Sequence, residues 1–199
     1  MGLSDKAKER LFIATTDKDV GTEIASNIDG AARSDTVVSI HDSIDAGSLS
    51  YSVETPPIDP VAIGPFLGAV FNIGDIAHRT FKINSRYVGN PSVHLHWTKS
   101  TDAVETGRAV RWRVTFLAVD GHNQNALATP GVVEIEDTYD DSGTTSRIIY
   151  RTPNLPLTGV VADYYLAIQI ERVAPVGTPL SASPLLISAD LRYDMYVNK

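Results

Sequence analysis

Val93-His94-Leu95-His96-Trp97 and, after a polar loop, Ala109-Val110-Arg111-Trp112-Arg113-Val114-Thr115-Phe116 are the two runs on which the fold turns. Each alternates strictly. Val93, Leu95 and Trp97 share one face of a predicted strand, and Val110, Trp112, Val114 and Phe116 share one face of the next, because residues i and i+2 of a strand point the same way. Both tryptophans of the chain are thereby expected on the buried sides of neighbouring strands. His94 and His96 fall on the opposite face of the first strand, and Arg111 and Arg113 on the outward face of the second.

Similar runs recur outward from this pair. Arg79 to Tyr87, Val132 to Thr138, Arg147 to Arg151, Asp163 to Arg172 and Leu186 to Val197 alternate or are rich in strand formers. Turn residues separate them: Gly89-Asn90-Pro91, Glu105-Thr106-Gly107, Asp120-Gly121, Asp140 to Gly143 and Pro175 to Pro184. Seven or eight such strands predict an all-β antiparallel sandwich, with the eight-stranded jelly roll as its natural form.

The first fifty residues read differently. Ser4 is placed to cap a short helix with Leu3, Ala7 and Leu11 on one side, and a second helical turn is expected around Thr22 to Ile28. Thr36 to Ile40 reads as a brief strand. Thr55-Pro56-Pro57-Ile58-Asp59-Pro60 forces an extended backbone and marks a boundary. The expected organisation is an N-terminal extended arm with short helical turns over 1–60, an apolar Gly-rich connection over 61–76 and a jelly-roll domain over 77–199. The arm has too few apolar residues for a core of its own, so it is either partly disordered or borrows burial from the C-terminal domain or from another chain. An ordered extension that wraps a neighbour is the expectation, with Leu11, Phe12, Ile13, Ile24 and Ile28 as its contacts.

Bulk composition narrows the function. A net charge of −7 disfavours nucleic acid and anionic membranes as partners, although a local patch could override the global sign. The absence of cysteine removes disulfides, thiolate metal sites and cysteine nucleophiles. Met1 to Arg10 has no signal-peptide pattern, and Val61 to Ile73 is too short and too broken by Gly and Pro to span a bilayer. A soluble chain made in the cytoplasm is expected.

Chemical motifs are sparse. His94-x-His96 supplies two imidazoles on one face, but zinc needs a third ligand and usually a fourth. His78 and His122 fall in predicted loops, and in a trimer three copies of one histidine could meet on the axis. A surface or subunit-contact face is the expectation. Glu134, Glu136, Asp137, Asp140 and Asp141 form an acidic segment that could hold calcium or a carboxylate pair, yet it does not follow calcium-loop spacing and reads as a solvated turn. There is no Gly-x-Ser-x-Gly elbow, and Gly64-x-x-x-Gly68 lacks the Lys-Ser/Thr of a phosphate loop. Arg111 and Arg113 are expected to pair with acidic side chains of a neighbouring strand or subunit, or to bind an anion. No enzyme, cofactor or metal site is expected.

His94 to Trp97, Thr106-Gly107 followed by Val110-Arg111-Trp112, Asp163-Tyr164-Tyr165 and Asp190-Leu191-Arg192-Tyr193 together resemble a group of jelly-roll structural proteins of tailed bacteriophages. The resemblance covers residues 77–199 and departs at Arg192, where the group often carries a histidine. It implies a virion-surface protein assembled in the host cytoplasm: a homotrimeric capsid decoration or cement protein whose arm clasps the major capsid protein, with His94, His96, Arg111 and Arg113 as subunit contacts. The alternative is a receptor-binding or tail-fibre head domain recognising a host glycan or surface protein, with Tyr139 and Tyr150 as its loop aromatics.

Overall fold

The computed structural model describes residues 37–45, 50–51, 60–120 and 129–196, and among these there is no helix. Twelve strands form in chain order: β1 Val37–Asp45, β2 Ser50–Tyr51, β3 Pro60–Ile63, β4 Phe66–Val70, β5 Ile76–Lys82, β6 Tyr87–Lys99, β7 Arg108–Val119, β8 Gly131–Tyr139, β9 Tyr150–Arg151, β10 Leu155–Pro156, β11 Tyr165–Val173 and β12 Pro184–Tyr196. They make two antiparallel sheets. Sheet A runs β10-β6-β12-β4-β3, with β9 also on β6 and β1 also on β12. Sheet B runs β2-β5-β11-β7-β8. The chain passes between sheets at β1–β2, β2–β3, β4–β5, β5–β6, β6–β7, β8–β9, β10–β11 and β11–β12. Reduced to the orders β4-β12-β6-β9/β10 and β5-β11-β7-β8, this is the jelly-roll connectivity.

The alternating runs face as expected. Val93, Leu95, Trp97, Val110, Trp112, Val114 and Phe116 are all buried, and they meet Leu166, Ile168, Ile170, Ala189 and Leu191 in one core between the sheets. The tryptophan strands, however, are not neighbours. β6 lies in sheet A against β12 and β7 in sheet B against β11 and β8. The two indoles therefore enter the core from opposite layers.

Other boundaries shift for local reasons. The strand expected over 79–87 ends at Lys82, because Asn84 builds a turn: its side chain accepts the Arg86 N–H at 2.9 Å and its carbonyl the Tyr87 N–H at 3.0 Å. Gly89-Asn90-Pro91, read as a turn, lies inside β6 instead. There Asn90 has a positive φ of 55° and the register against β12 slips, which marks a bulge. The strand expected over 147–151 shortens to β9, since Ile148 N–H donates to the Tyr139 hydroxyl at 2.7 Å rather than to a ladder.

The expected connection over 61–76 contains the β3–β4 hairpin, and β4 and the residue after it deliver the fully buried Ala69 and Phe71 to the core. Residues 37–45 pair with β12 over nine positions, from Val37 opposite Tyr196 to Asp45 opposite Ser188, and Ser50–Tyr51 pairs with β5. The helical turns and the apolar contacts at Leu11, Phe12, Ile13, Ile24 and Ile28 lie outside the described residues.

Candidate functional site

Four connections meet at one end of the sandwich: 71–75, 100–107, 140–149 and 174–183. Two buried polar networks tie them down. In the first, Lys99 Nζ donates to Asp141 Oδ2 at 2.6 Å, Ala103 O at 2.7 Å and Thr144 O at 3.2 Å, and both side chains of the pair are 1% exposed or less. Asp141 also accepts the Glu105 N–H at 2.8 Å and the Thr106 hydroxyl. Burial pushes the Asp141 carboxyl up, but the bonds from Lys99, Thr106 and Glu105 N–H outweigh it and hold the group well below the usual carboxylate range. Glu105, itself buried, accepts the backbone N–H and hydroxyl of Ser181. In the second network Arg172 donates to Phe71 O at 2.8 Å and to the Ser183 hydroxyl at 3.1 Å, and Asn72 donates to Asp75.

The acidic segment is thus dispersed rather than assembled. Glu134 bonds Arg111 at 2.5 Å and Arg113 at 2.6 Å, and Arg113 reaches Glu171 at 3.1 Å. Glu136 accepts the N–H groups of Val176 and Gly177, fixing the 174–183 connection. Asp137 faces the interior and accepts the Trp97 indole N–H at 3.0 Å, a bond that spans the two sheets. Burial pushes its carboxyl up, partly offset by that bond and by the Thr138 N–H. Asp140 accepts the Ser142 N–H at 2.8 Å. Every carboxylate has a separate structural partner, and no group of three metal-binding side chains occurs among the described residues.

Arg111 and Arg113 stand on the outward face of sheet B and pair within the chain, across β7–β8 and β7–β11. Tyr139 and Tyr150 do not stand on loops as exposed aromatics. Tyr139 is fully buried and Tyr150 half-buried, and both pack on Trp97 with ring centroids 5.5 Å and 5.6 Å away. Nothing in the local sequence distinguishes them from surface tyrosines, because the third dimension of the cluster comes from β6.

The outward faces of the two sheets differ. On sheet A, His94 is 1% exposed, and Ser92 and Thr98 are buried beside it. His94 Nδ1 lies 3.2 Å from Thr152 O, and Nε2 lies 2.9 Å from Arg151. His96 Nδ1 lies 3.0 Å from the Ser188 hydroxyl and 3.5 Å from Asp190. Both nitrogens of His94 and Nδ1 of His96 are engaged, and His94 is interior to its own chain rather than a surface side chain.

Sheet B is open. Residues opposite each other in register share a face, so Lys82, Tyr165 and Val119 form one row, Thr80, Ala167 and Leu117 the next, and His78, Gln169 and Thr115 a third. Tyr165 is 45% exposed, with the Lys82 ammonium 4.4 Å from its ring centroid and tied to the Asp163 carbonyl. His78, Thr80 and Ala167 are exposed. The sequence marks these positions only as the polar half of an alternating pattern.

The class defined by this architecture is a jelly-roll β-sandwich. No protein family and no curated protein matches the sequence. Among solved structures the chain is similar to the CBM36-1 domain of a multidomain xylanase from the hindgut metagenome of Trinervitermes trinervoides, at 14% identity and TM-score 0.44, over 76% of this chain and 96% of that one. It is similar also to the carbohydrate-binding module CBM36 in complex with calcium and xylotriose, at 8% identity and TM-score 0.45, over 76% and 98%. A family 35 carbohydrate binding module from Clostridium thermocellum matches at 10% identity and TM-score 0.40, over 76% and 97%. These values mark a loose likeness, and the fold assignment rests on the strand order of this chain.

Proposed function

We propose that this chain is a non-catalytic recognition domain that binds a surface glycan on the outward face of sheet B. One observation carries the reading: among the described residues, the outward face of sheet B presents an exposed tyrosine ring, Tyr165, among hydrogen-bonding side chains. A sugar ring offers an apolar C–H face and a rim of hydroxyls. A tyrosine ring bordered by lysine, threonine, histidine and glutamine offers the matching apolar surface and polar partners, and tyrosine adds large contact area at low entropic cost. Open sheet rows about 6.6 Å apart, two residues along the strand, suit an extended ligand better than a closed pocket does.

Binding of the full chain to a glycan array tests this, followed by titration of the hits against Tyr165→Ala. Truncating a central tyrosine costs about 2 kcal/mol or more at a binding hot spot, roughly thirtyfold in affinity. The reading fails if no glycan binds, or if Tyr165→Ala binds as the parent does.

A second reading, attachment to a capsid as a homotrimer, draws support from the β3–β4 hairpin and the segment after it. Val61, Phe66, Leu67 and Ile73 are 41–56% exposed there, large apolar side chains of the kind that partners cover. A mass measurement in solution and co-sedimentation with empty capsids test it.

A further inference from the structure

Two arginines on the outward face of sheet A converge on one imidazole. Arg151 of β9 and Arg192 of β12 approach His94 of β6 from either side and reach the same atom, Nε2, at 2.9 Å and 3.5 Å. The Thr152 carbonyl at Nδ1 can only accept, so Nδ1 carries the proton and Nε2 presents a bare lone pair. Burial keeps this imidazole neutral, and the two guanidinium charges add to the effect against the opposing pull of Thr152 and Asp190. Protonating it would place a third positive charge among the other two.

Both arginines are permanently charged, and among the residues whose side chains are described neither lies within ion-pair distance of a carboxylate. Asp190 faces the neighbouring histidine instead, 3.5 Å from His96 Nδ1. Contrast Arg111 and Arg113, whose charges are met by Glu134 and Glu171. Arg151 is exposed and Arg192 half-buried, and each guanidinium carries N–H donors beyond the one directed at His94. Two guanidinium groups held on the same imidazole nitrogen stand close enough together for their remaining donors to share one oxyanion.

We propose that Arg151 and Arg192, braced by His94, form a binding site for an oxyanion with at least two acceptor oxygens, such as a sulfate, phosphate or carboxylate group on a larger ligand. The site lies on the face opposite the Tyr165 rows and does not rest on the glycan reading. With a net charge of −7 the whole molecule repels anions at long range, so binding here depends on direct contacts rather than steering.

The test uses the full chain at low ionic strength, titrated separately with inorganic sulfate, inorganic phosphate and acetate. Calorimetry and the His94 Nε2 chemical shift are the two readouts. Saturable binding of at least one ion with a matching His94 shift is expected. Arg151→Gln and Arg192→Gln should each weaken it at least fivefold, and Arg111→Gln should leave it unchanged. Response to acetate alone identifies a planar carboxylate ligand, and response to sulfate or phosphate a tetrahedral one. Absence of saturable binding by all three ions, or parental binding in both Arg151→Gln and Arg192→Gln, overturns the proposal. Arg151 is exposed, so its variant keeps the test valid if Arg192→Gln does not fold.

Discussion

Replacing Trp97 with phenylalanine is the sharpest probe of how the two sheets are joined. The indole is fully buried, packs on Tyr139 and Tyr150, and donates across the core to Asp137. Phenylalanine keeps a ring in the cluster but removes that donor, leaving the carboxylate with the Thr138 N–H as its remaining stabilising contact. A hydrogen bond to a charged group contributes about 1.5–3 kcal/mol. The smaller ring gives up roughly 40 Å² of buried apolar surface, or about 1 kcal/mol. The expected loss is therefore about 2.5–4 kcal/mol, a fall in Tm of roughly 5–16 °C for a domain of this size. Urea unfolding followed by far-UV circular dichroism at pH 7 measures it, in the parent and in an Asp137→Asn background. Asparagine can still accept the indole N–H without burying a charge, so the Trp97→Phe loss should shrink there by at least 1 kcal/mol or so. Equal losses in the two backgrounds would refute the cross-sheet bond as the source of the effect.

Further expectations can be checked by the same unfolding experiments. Asp137 has a folded pKa raised above its ordinary value of 3.8, so the folded state is stabilised as pH falls from that raised value toward 3.8; Asp137→Asn should flatten this rise and be more stable than the parent at pH 7. Asp141 is the opposite case: its depressed pKa gives stability that is present above 3.8 and lost as pH falls below it, and Asp141→Asn should lose that acid-side slope while being less stable at neutral pH. Gly131→Ala puts a Cβ 2.3 Å from Phe116 Cζ and should cost about 1–3 kcal/mol, with partial rescue by Phe116→Leu. Deleting residues 1–36 should leave the sandwich folded, whereas deleting 1–60 removes the nine-position β1 ladder and bares an edge of β12; light scattering should then show aggregation of the second variant only.

The glycan and oxyanion proposals assign different work to the two outward faces. Both spare the end tied by the Lys99–Asp141 pair and by Arg172 on Phe71 and Ser183. That end holds the four connections in place and so supports the rigidity of both sheet faces.

Alternation is written in the chain because successive side chains of a strand must point to opposite sides whatever the strand later pairs with. The sequence alone therefore determined that Trp97 and Trp112 are core and that Arg111 and Arg113 face outward, and enough strands could be counted to anticipate a jelly roll. It did not determine that β6 and β7 belong to opposite sheets, nor that Tyr139 turns into the core. It left unassigned the partners of Asp141 and His94, which are contributed by Lys99, 42 residues away, and by Arg151 and Arg192, 57 and 98 residues away. Those pairings depend on register between strands distant in the chain, and register is fixed only when both sheets close on a common core. The histidines behind the Trp97 strand owe their surroundings to that closure, which buries the His94 imidazole beneath two arginines and leaves His96 partly exposed.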